Sequence, residues 1–569
     1  MSAVRVLFAT GMVLCAVAAG CGSKGEVQTP TVPLHVEGTI GQFSQYVGLP
    51  ERTVQGYGVV VGLGKDGSFE VPDKIRDYLI QYLLKRKLGS WRQDTRHLHP
   101  SRILRDLDTA VVLVVGDVPH GAPKGSRFDL QVKALDGTNT RSLAGGMLMP
   151  AELRLAIGSL AAPGGPTHVW ADGRGEVFID PLLDRAKPAA QADLQRGRVV
   201  GGGRVTRYRP VRLMLRAPSF RLSRQIEGRI NQRFRTPDAR RPVASAQSDE
   251  TIEISVPIRY ARDYKHFLRL VLYLPLTRNA TTNELRAKRL LEGMVQPEAP
   301  YEQLALSLEA IGAEILPMIQ PHYASREPYV AFFAARTGFR LGDDDAAAIL
   351  LQTARRVDSP LQVQAIRALA RGRDLPGAVE TFRALLDDEN WSVRLAAYEA
   401  LIAHKDSLKI HRTIVGKRFT LDVVQSKGEP VIYATQSGQP RIVVFGGNLP
   451  VSNPMFFALP DDLVTISDTK RPEGARLMLY RKVPRSPRPS DMLYIDFKTT
   501  ELIQTLGGLP DRNRDGTVKA LSLTYSQVLR VLRGLCRSKT GGINARFELQ
   551  AIAESDRIPD ADGTGIRPD

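Results

Sequence analysis

Immediately after an apolar run, the residues Gly62-Leu63-Gly64-Lys65-Asp66-Gly67 match the GxGxxG spacing. Glycines at that spacing permit a tight turn and let a pyrophosphate approach a helix N-terminus. The surroundings argue against a cofactor: Ser68 to Pro72 separate the last glycine from the next helical stretch, and Lys85-Arg86-Lys87 stand where an acidic ribose ligand belongs. A strand-to-loop exit is the plainer reading, and no cofactor is expected. His97 and His99 would share one face of an extended segment, but no third ligand accompanies them, so they read as surface histidines. Asp511, Asn513, Asp515 and Gly516 space oxygen ligands as a calcium loop does, yet its twelfth position is Ser522 and not a bidentate Glu. That leaves calcium binding and a polar capping turn both open. Cys536 has no evident His partner and reads as a packed thiol. There is no Walker A, HExxH or GxSxG sequence. No catalytic constellation emerges.

The elements that would position these residues fall into blocks. With 43% hydrophobic and 24% charged residues, the 569-residue chain has the composition of a multidomain globular protein. Its three cysteines exclude a disulfide-stapled scaffold. Residues 35–276 read as mixed α/β (α+β): strands such as Gly58 to Leu63 and Ala110 to Val115 are interspersed with amphipathic helices. In Asp73 to Leu84, Ile75, Tyr78, Leu79, Tyr82 and Leu83 define one buried face. Leu222, Ile226, Ile230 and Phe234 define another, with Ser219 placed as its cap. Residues 277–299 read as a linker. From 300 to 406 the pattern is wholly helical and repetitive, Leu361 to Leu369 aligning with Val393 to Leu401 at an offset of 32 and Tyr329 to Thr337 more loosely. That interval predicts a short α-solenoid of HEAT-like repeats, a scaffold that mostly binds protein. Residues 407–555 predict a β-rich α+β module, with strands including Phe419 to Val424 and Arg441 to Phe445 and a hairpin turn at Gln436 to Gln439. Residues 556–569 read as a disordered tail.

The N-terminus carries an address. Arg5 precedes an uncharged apolar run from Val6 to Ala19, the pattern of a secretory signal over residues 1–20. Ala19-Gly20 lie just before Cys21, as in a bacterial lipobox, so Cys21 is the expected lipid attachment site and 21–34 a polar tether to the membrane surface. Ordinary cleavage near Ala19 is the alternative.

Lys and Arg exceed Asp and Glu by 18, and much of that surplus has one location. Between Arg204 and Arg241 lie twelve Arg against only Glu227 and Asp238. Arg in preference to Lys suits bidentate capture of carboxylate or phosphate. Arg221, Arg224, Arg229 and Arg233, all on the Ile226 helix, are the candidates for basic contact. Export and the scarcity of base-stacking aromatics argue against nucleic acid. A solvated basic face is the plain alternative.

The stretch Gly56-Tyr57-Gly58-Val59-Val60-Val61-Gly62-Leu63 is very similar to the GYGLVVGL sequence of bacterial flagellar P-ring proteins. Two further stretches agree in order: Ala110 to Gly146, ending Ser142-Leu143-Ala144-Gly145-Gly146, and Leu213 to Phe234 with its Ile-x-x-x-Ile-Asn helix through Ile226, Ile230 and Asn231. Together they cover about residues 35–276. The resemblance implies a structural, non-enzymatic subunit that assembles with copies of itself into a ring around the flagellar rod. It places the protein in the periplasm beside the peptidoglycan or outer-membrane ring components, in support of motility. Gly56, Tyr57, Gly58, Gly62, Gly145, Gly146, Ile230 and Asn231 are the family-motif residues it marks for assembly. Three departures stand out: the lipobox-like sequence, a loop after Leu63 without the family's Gly-Thr-Gly-Asp, and helical repeats where the family has a strand-rich C-terminal part. An envelope scaffold lipoprotein that uses its repeats to bind another complex is the competing reading.

Overall fold

The computed structural model describes residues 33–551, apart from 48–51, 87–98, 120, 157–167, 184–189, 208–209, 235–241, 262, 278, 373–374, 460, 462, 472–473, 483–488, 510–519 and 539–540. Its first strand, β1 (Ser44–Val47), belongs to a small sheet described below. The next six are β2 (Arg52–Val61), β3 (Thr109–Val118), β4 (Arg127–Ala134), β5 (Met147–Leu155), β6 (Val169–Glu176) and β7 (Arg196–Val205). They close into an antiparallel barrel of order β2-β3-β4-β7-β6-β5. Along β2 the period-two alternation sends Val54, Gly56, Gly58 and Val60 inward, while Tyr57, Val59 and Val61 pack outward against the helix Asp73–Lys85.

Six strands enclose less space than the roughly eight whose interior just accommodates side chains. The sequence meets this by placing glycine opposite bulk. A Cβ on Gly58 would lie 2.8 Å from Leu148, one on Gly173 2.6 Å from Leu130, and one on Gly203 2.7 Å from the Phe128 ring. The expectation for 35–276 is therefore refined: helix and sheet are both present, but an all-antiparallel barrel, rather than alternating strand-helix units, organises its first part.

Strands β8 (Val211–Leu215), β9 (Ala244–Ala246) and β10 (Thr251–Ile254) join β1 in a second antiparallel sheet of order β1-β8-β10-β9. The helices Phe220–Phe234 and Tyr264–Tyr273 cover it, burying Ile226, Ile230, Phe234, Phe267 and Val271 against Leu213, Ile252 and Ile254. The Ser219 hydroxyl accepts from the Leu222 N–H at 3.3 Å and caps the first helix as its position suggests.

Residues 277–299 are not a linker. They contain the helix Ala280–Met294, which buries Ala287, Leu290, Leu291 and Met294 in the same core as the helices that follow. Those include Tyr301–Ile311, Pro328–Leu341, Asp345–Arg355, Gln362–Arg371, Pro376–Leu385 and Trp391–Ala403. The turn before the last is built from side-chain caps: Asp388 accepts from the Asn390 N–H at 2.8 Å and Asn390 from the Ser392 N–H at 2.9 Å.

The C-terminal module begins with β11 (Ile410–Val415), β12 (Phe419–Val424), β13 (Val431–Ala434) and β14 (Arg441–Phe445). After these come β15 (Phe456–Ala458), β16 (Val464–Arg471), β17 (Gly474–Arg481), β18 (Leu493–Ile495) and β19 (Arg546–Leu549). One mixed sheet has order β11-β12-β14-β13-β19, and β15 to β18 form an antiparallel second. The mixed sheet is apolar on both faces. Val424, Val431, Tyr433, Val443 and Phe445 extend the core of the helical layer, whereas Leu421, Ile432, Ile442 and Val444 pack beneath the helices Thr499–Gly507 and Tyr525–Arg537. The helical layer is thus a strap fused at both ends.

Candidate functional site

The family-motif residues lie in two kinds of place. Gly56, Gly58 and Gly146 are backbone approaches that a side chain would break: a Cβ on Gly56 would sit 2.2 Å from the Glu152 carbonyl oxygen, and one on Gly146 2.4 Å from Val60. Gly62 turns the chain out of β2 with φ +86°. Tyr57 is half-buried against the Asp73–Lys85 helix. Ile230 is fully buried, and the Asn231 amide works as a piece of strand, accepting from the Ala244 N–H at 2.9 Å and donating to its carbonyl at 2.8 Å. All these residues shape the fold of the chain itself.

Gly145 is different. Its φ is +79°, and Gln527 of the C-terminal module lies where its Cβ would be, 2.8 Å away. Gln527 is also the third residue of the Tyr525–Arg537 helix, whose capping box it completes by accepting from the Thr524 N–H at 2.9 Å. Around this point the module is joined to the barrel. Glu176, at the end of β6, pairs with Arg418 at 2.8 Å and accepts from the Tyr525 N–H at 3.0 Å. Burial pushes the Glu176 carboxyl above the usual range even with Arg418 beside it. Phe178 and Val200 enter the module's core, and Arg533 donates to the Pro181 carbonyl at 2.9 Å. A second tie is made of backbone: Asp129 on β4 accepts the N–H of Gly201 at 2.5 Å and that of Gly438, in the expected hairpin turn, at 3.1 Å. Gly201 and Gly438 touch so closely that a Cβ on Gly201 would meet the Gly438 carbonyl oxygen at 2.0 Å.

The seam between the small sheet and the strap is built from charge. Glu309 is buried and takes His266 at 2.7 Å and Arg340 at 3.5 Å, and His266 also contacts Arg340. Glu302 pairs with Arg336 at 2.6 Å and Arg269 at 3.4 Å. Burial would raise the Glu309 carboxyl, but the His266 hydrogen bond and the Arg340 charge outweigh it and hold Glu309 below its ordinary range. Arg233, a contact candidate, is spent here on the Glu309 carbonyl at 3.3 Å. Arg229 is spent likewise, donating to the Pro275 carbonyl at 2.9 Å. Arg221 and Arg224 remain exposed beside Phe220, itself 71% exposed, with Arg224 held to Glu227 at 2.9 Å.

The groups that could do chemistry are engaged in the fold or lie outside the described residues. In the glycine loop the Gly64 N–H donates to the Asp108 carboxylate at 2.7 Å and the Gly67 N–H to the Leu107 carbonyl at 3.0 Å, so the donors a phosphate would need are engaged. The His99 ring bonds its own Ser101 at 2.8 Å, while His97 lies outside the described residues. Asp511, Asn513, Asp515 and Cys21 also lie outside them. Cys536 is half-buried, and burial pushes its thiol up to about 12. No metal-ligating cluster occurs among the described residues, and no helix among them is long and apolar enough to cross a membrane.

Against known families, residues 39–284, the barrel and small sheet, match the model of the flagellar P-ring protein. That segment is similar to the flagellar P-ring family. Residues 348–410 match HEAT repeats, so the repeat character lies in the later helices of the strap. The flagellar P-ring protein of Anaeromyxobacter dehalogenans (strain 2CP-C) is 27% identical over 351 residues, covering 60% of this chain and 85% of the relative. That of Geotalea uraniireducens is 23% identical over 363 residues, 61% and 90% of the two chains. That of Anaeromyxobacter sp. (strain K) is 29% identical over 241 residues, 40% and 58%, so the chain spans little more than half of that relative. The two longer alignments reach past Leu276, where the sequence motifs alone end the resemblance. The P-ring family is structural, and the chain is not an enzyme.

Proposed function

We propose that this protein is a structural subunit of the flagellar basal-body P ring, assembling with copies of itself around the rod at the peptidoglycan layer and supporting motility. The observation that carries the reading is the family match over residues 39–284, coinciding with a barrel whose interior is shaped by the motif glycines Gly56, Gly58 and Gly146. Closing a ring requires heterologous contacts, one face of each subunit fitting the opposite face of the next. With Gly145 covered by Gln527 and Ile230 buried, the exposed Phe220, Arg221 and Arg224 end of its helix is the better candidate for such a contact. The strap and module enlarge each subunit. A lipid on Cys21 holds it at a membrane facing the periplasm.

Deleting the gene is expected to leave rods without a P ring in electron cryotomography and cells that do not swim. Intact rings and normal swimming would instead favour the scaffold reading, in which the P-ring-like region serves another envelope complex. Cys21→Ala is expected to abolish palmitate labelling and release the protein from membranes, and an unlabelled wild-type protein would remove the anchor from the account.

A further inference from the structure

The sheet of β15 to β18 buries one face, with Ile466, Leu477 and Leu479 in the core beneath the Tyr525–Arg537 helix, and turns the other outward. β15 sends its two phenylalanines to opposite sides. Phe457 seats against Gly534, where a Cβ would lie 2.5 Å from its ring, so Phe456 points out and is 65% exposed. The register sets Phe456 beside Ser467 and Ser467 beside Met478, with Thr465 beside Tyr480 in the next row. Met492, 53% exposed, leads into β18. None of these side chains is charged. Charge begins at the borders, with Arg476 held to Asp496 at 2.8 Å on one side and Lys482, two residues past Tyr480, on the other. An apolar centre without charge inside a charged rim is the anatomy of a protein interface.

The start of the Phe220–Phe234 helix is its counterpart. Phe220 is 71% exposed, and Arg221 and Arg224 stand exposed beside it. Aromatic residues, Met and Arg are the types enriched where proteins meet. A guanidinium is also drawn to the electron-rich face of an aromatic ring. The two surfaces are therefore electrostatically complementary: the helix end offers cations around a single ring, and the sheet offers rings and thioethers with no cation among them to repel the arginines.

We propose that the Phe220, Arg221 and Arg224 helix end of one copy docks on the Phe456, Met478 and Tyr480 face of the next copy's C-terminal module. The proposal rests on the ring reading above and names both sides of the heterologous contact that a ring needs. Because the two surfaces differ, the contact runs head to tail and propagates from copy to copy, whereas a contact between like faces would stop at a dimer. The module lies beyond residues 39–284, the span similar to the P-ring family, so assembly here recruits a part of the chain outside that span.

Cysteine cross-linking in cells tests this in the full chain. Arg221→Cys and Ser467→Cys proteins made together are expected to give a disulfide-linked dimer under mild oxidation, and a protein carrying both changes should give a ladder of higher oligomers. Cys536 does not compete, because burial pushes its thiol up to about 12. Met478→Lys sets a like charge against Arg224 and should cut the mixed dimer about tenfold, and adding Arg224→Glu to the partner protein should restore it. Absence of the mixed dimer would overturn the contact; if electron cryotomography of the same cells still shows a P ring, the ring reading survives it. Mixed dimers in cells without a P ring would support the contact and remove the ring reading instead. Dimers formed by the Ser467→Cys protein alone would overturn the proposal, because like faces would then meet, and so would a charge reversal that fails to restore the dimer.

Discussion

Two seams hold the P-ring-like region to the rest of the chain, and they are made of opposite materials. Against the C-terminal module the barrel presents close backbone, with Gly201 on Gly438 and Gly145 under Gln527, plus one carboxyl, Glu176, that burial makes reluctant to ionise. Against the helical strap the small sheet presents a charge network in which Glu309 is held ionised by His266 and Arg340. Shape dominates the first seam and charge the second. They should fail under different insults.

The largest effect is expected from Gly201→Val. Its backbone has φ +60° and its Cβ would overlap a carbonyl oxygen that cannot swing away, so about 3 kcal/mol should be lost. Hydrogen exchange should rise at the 436–439 hairpin and around Tyr525 while the strap stays protected. Next in size is Glu309→Gln, which removes a buried charge-assisted hydrogen bond for a cost of about 2 kcal/mol in chemical denaturation, with added exchange confined to 264–273, 301–311 and 328–341.

Acid should separate the seams without mutation. Glu309 titrates below its unfolded value, so its contribution is present above the unfolded range and is lost as pH falls through its folded value. Glu176 titrates above its unfolded value, so folding favours its protonated form and stability at that seam rises as pH falls through the window between the two. Hydrogen exchange compared at pH 7 and at a pH below the ordinary glutamate value of 4.5, corrected for intrinsic rates, should show the strap seam loosening while the module seam holds or tightens. Loosening of both together would contradict the contrast. The smallest effect belongs to Arg224→Ala, within about 0.5 kcal/mol of wild type by thermal unfolding, because its partner Glu227 is i,i+3 and the pair faces solvent.

Much of the architecture was legible because it rests on local pattern. The Ile226, Ile230 and Phe234 stripe and the β12 and β14 boundaries follow from period alone. Barrel closure was not, because pairing β2 with β5 is a long-range event with no marker in either strand. Its trace is the glycines at 58, 116, 173 and 203, each conspicuous only once the opposing Leu or Phe is known. The 277–299 segment misleads because its charges mask the stripe Ala287, Leu290, Leu291 and Met294. Of the four arginines put forward for contact, spacing could not tell Arg229 and Arg233, whose acceptors are distant carbonyls, from the exposed Arg221 and Arg224. The module seam was invisible for the same reason: Gly145 and Gln527 are neighbours only through tertiary structure.

On the proposed function, barrel, strap and module together act as one subunit that builds the P ring. Electron cryomicroscopy of basal bodies isolated from cells making the wild-type protein is the decisive experiment. The expected result is a closed ring of this chain around the rod, with each module seated on its own barrel and Gln527 over Gly145. A P ring containing no copy of this chain, or copies whose modules stand away from their barrels, would contradict it.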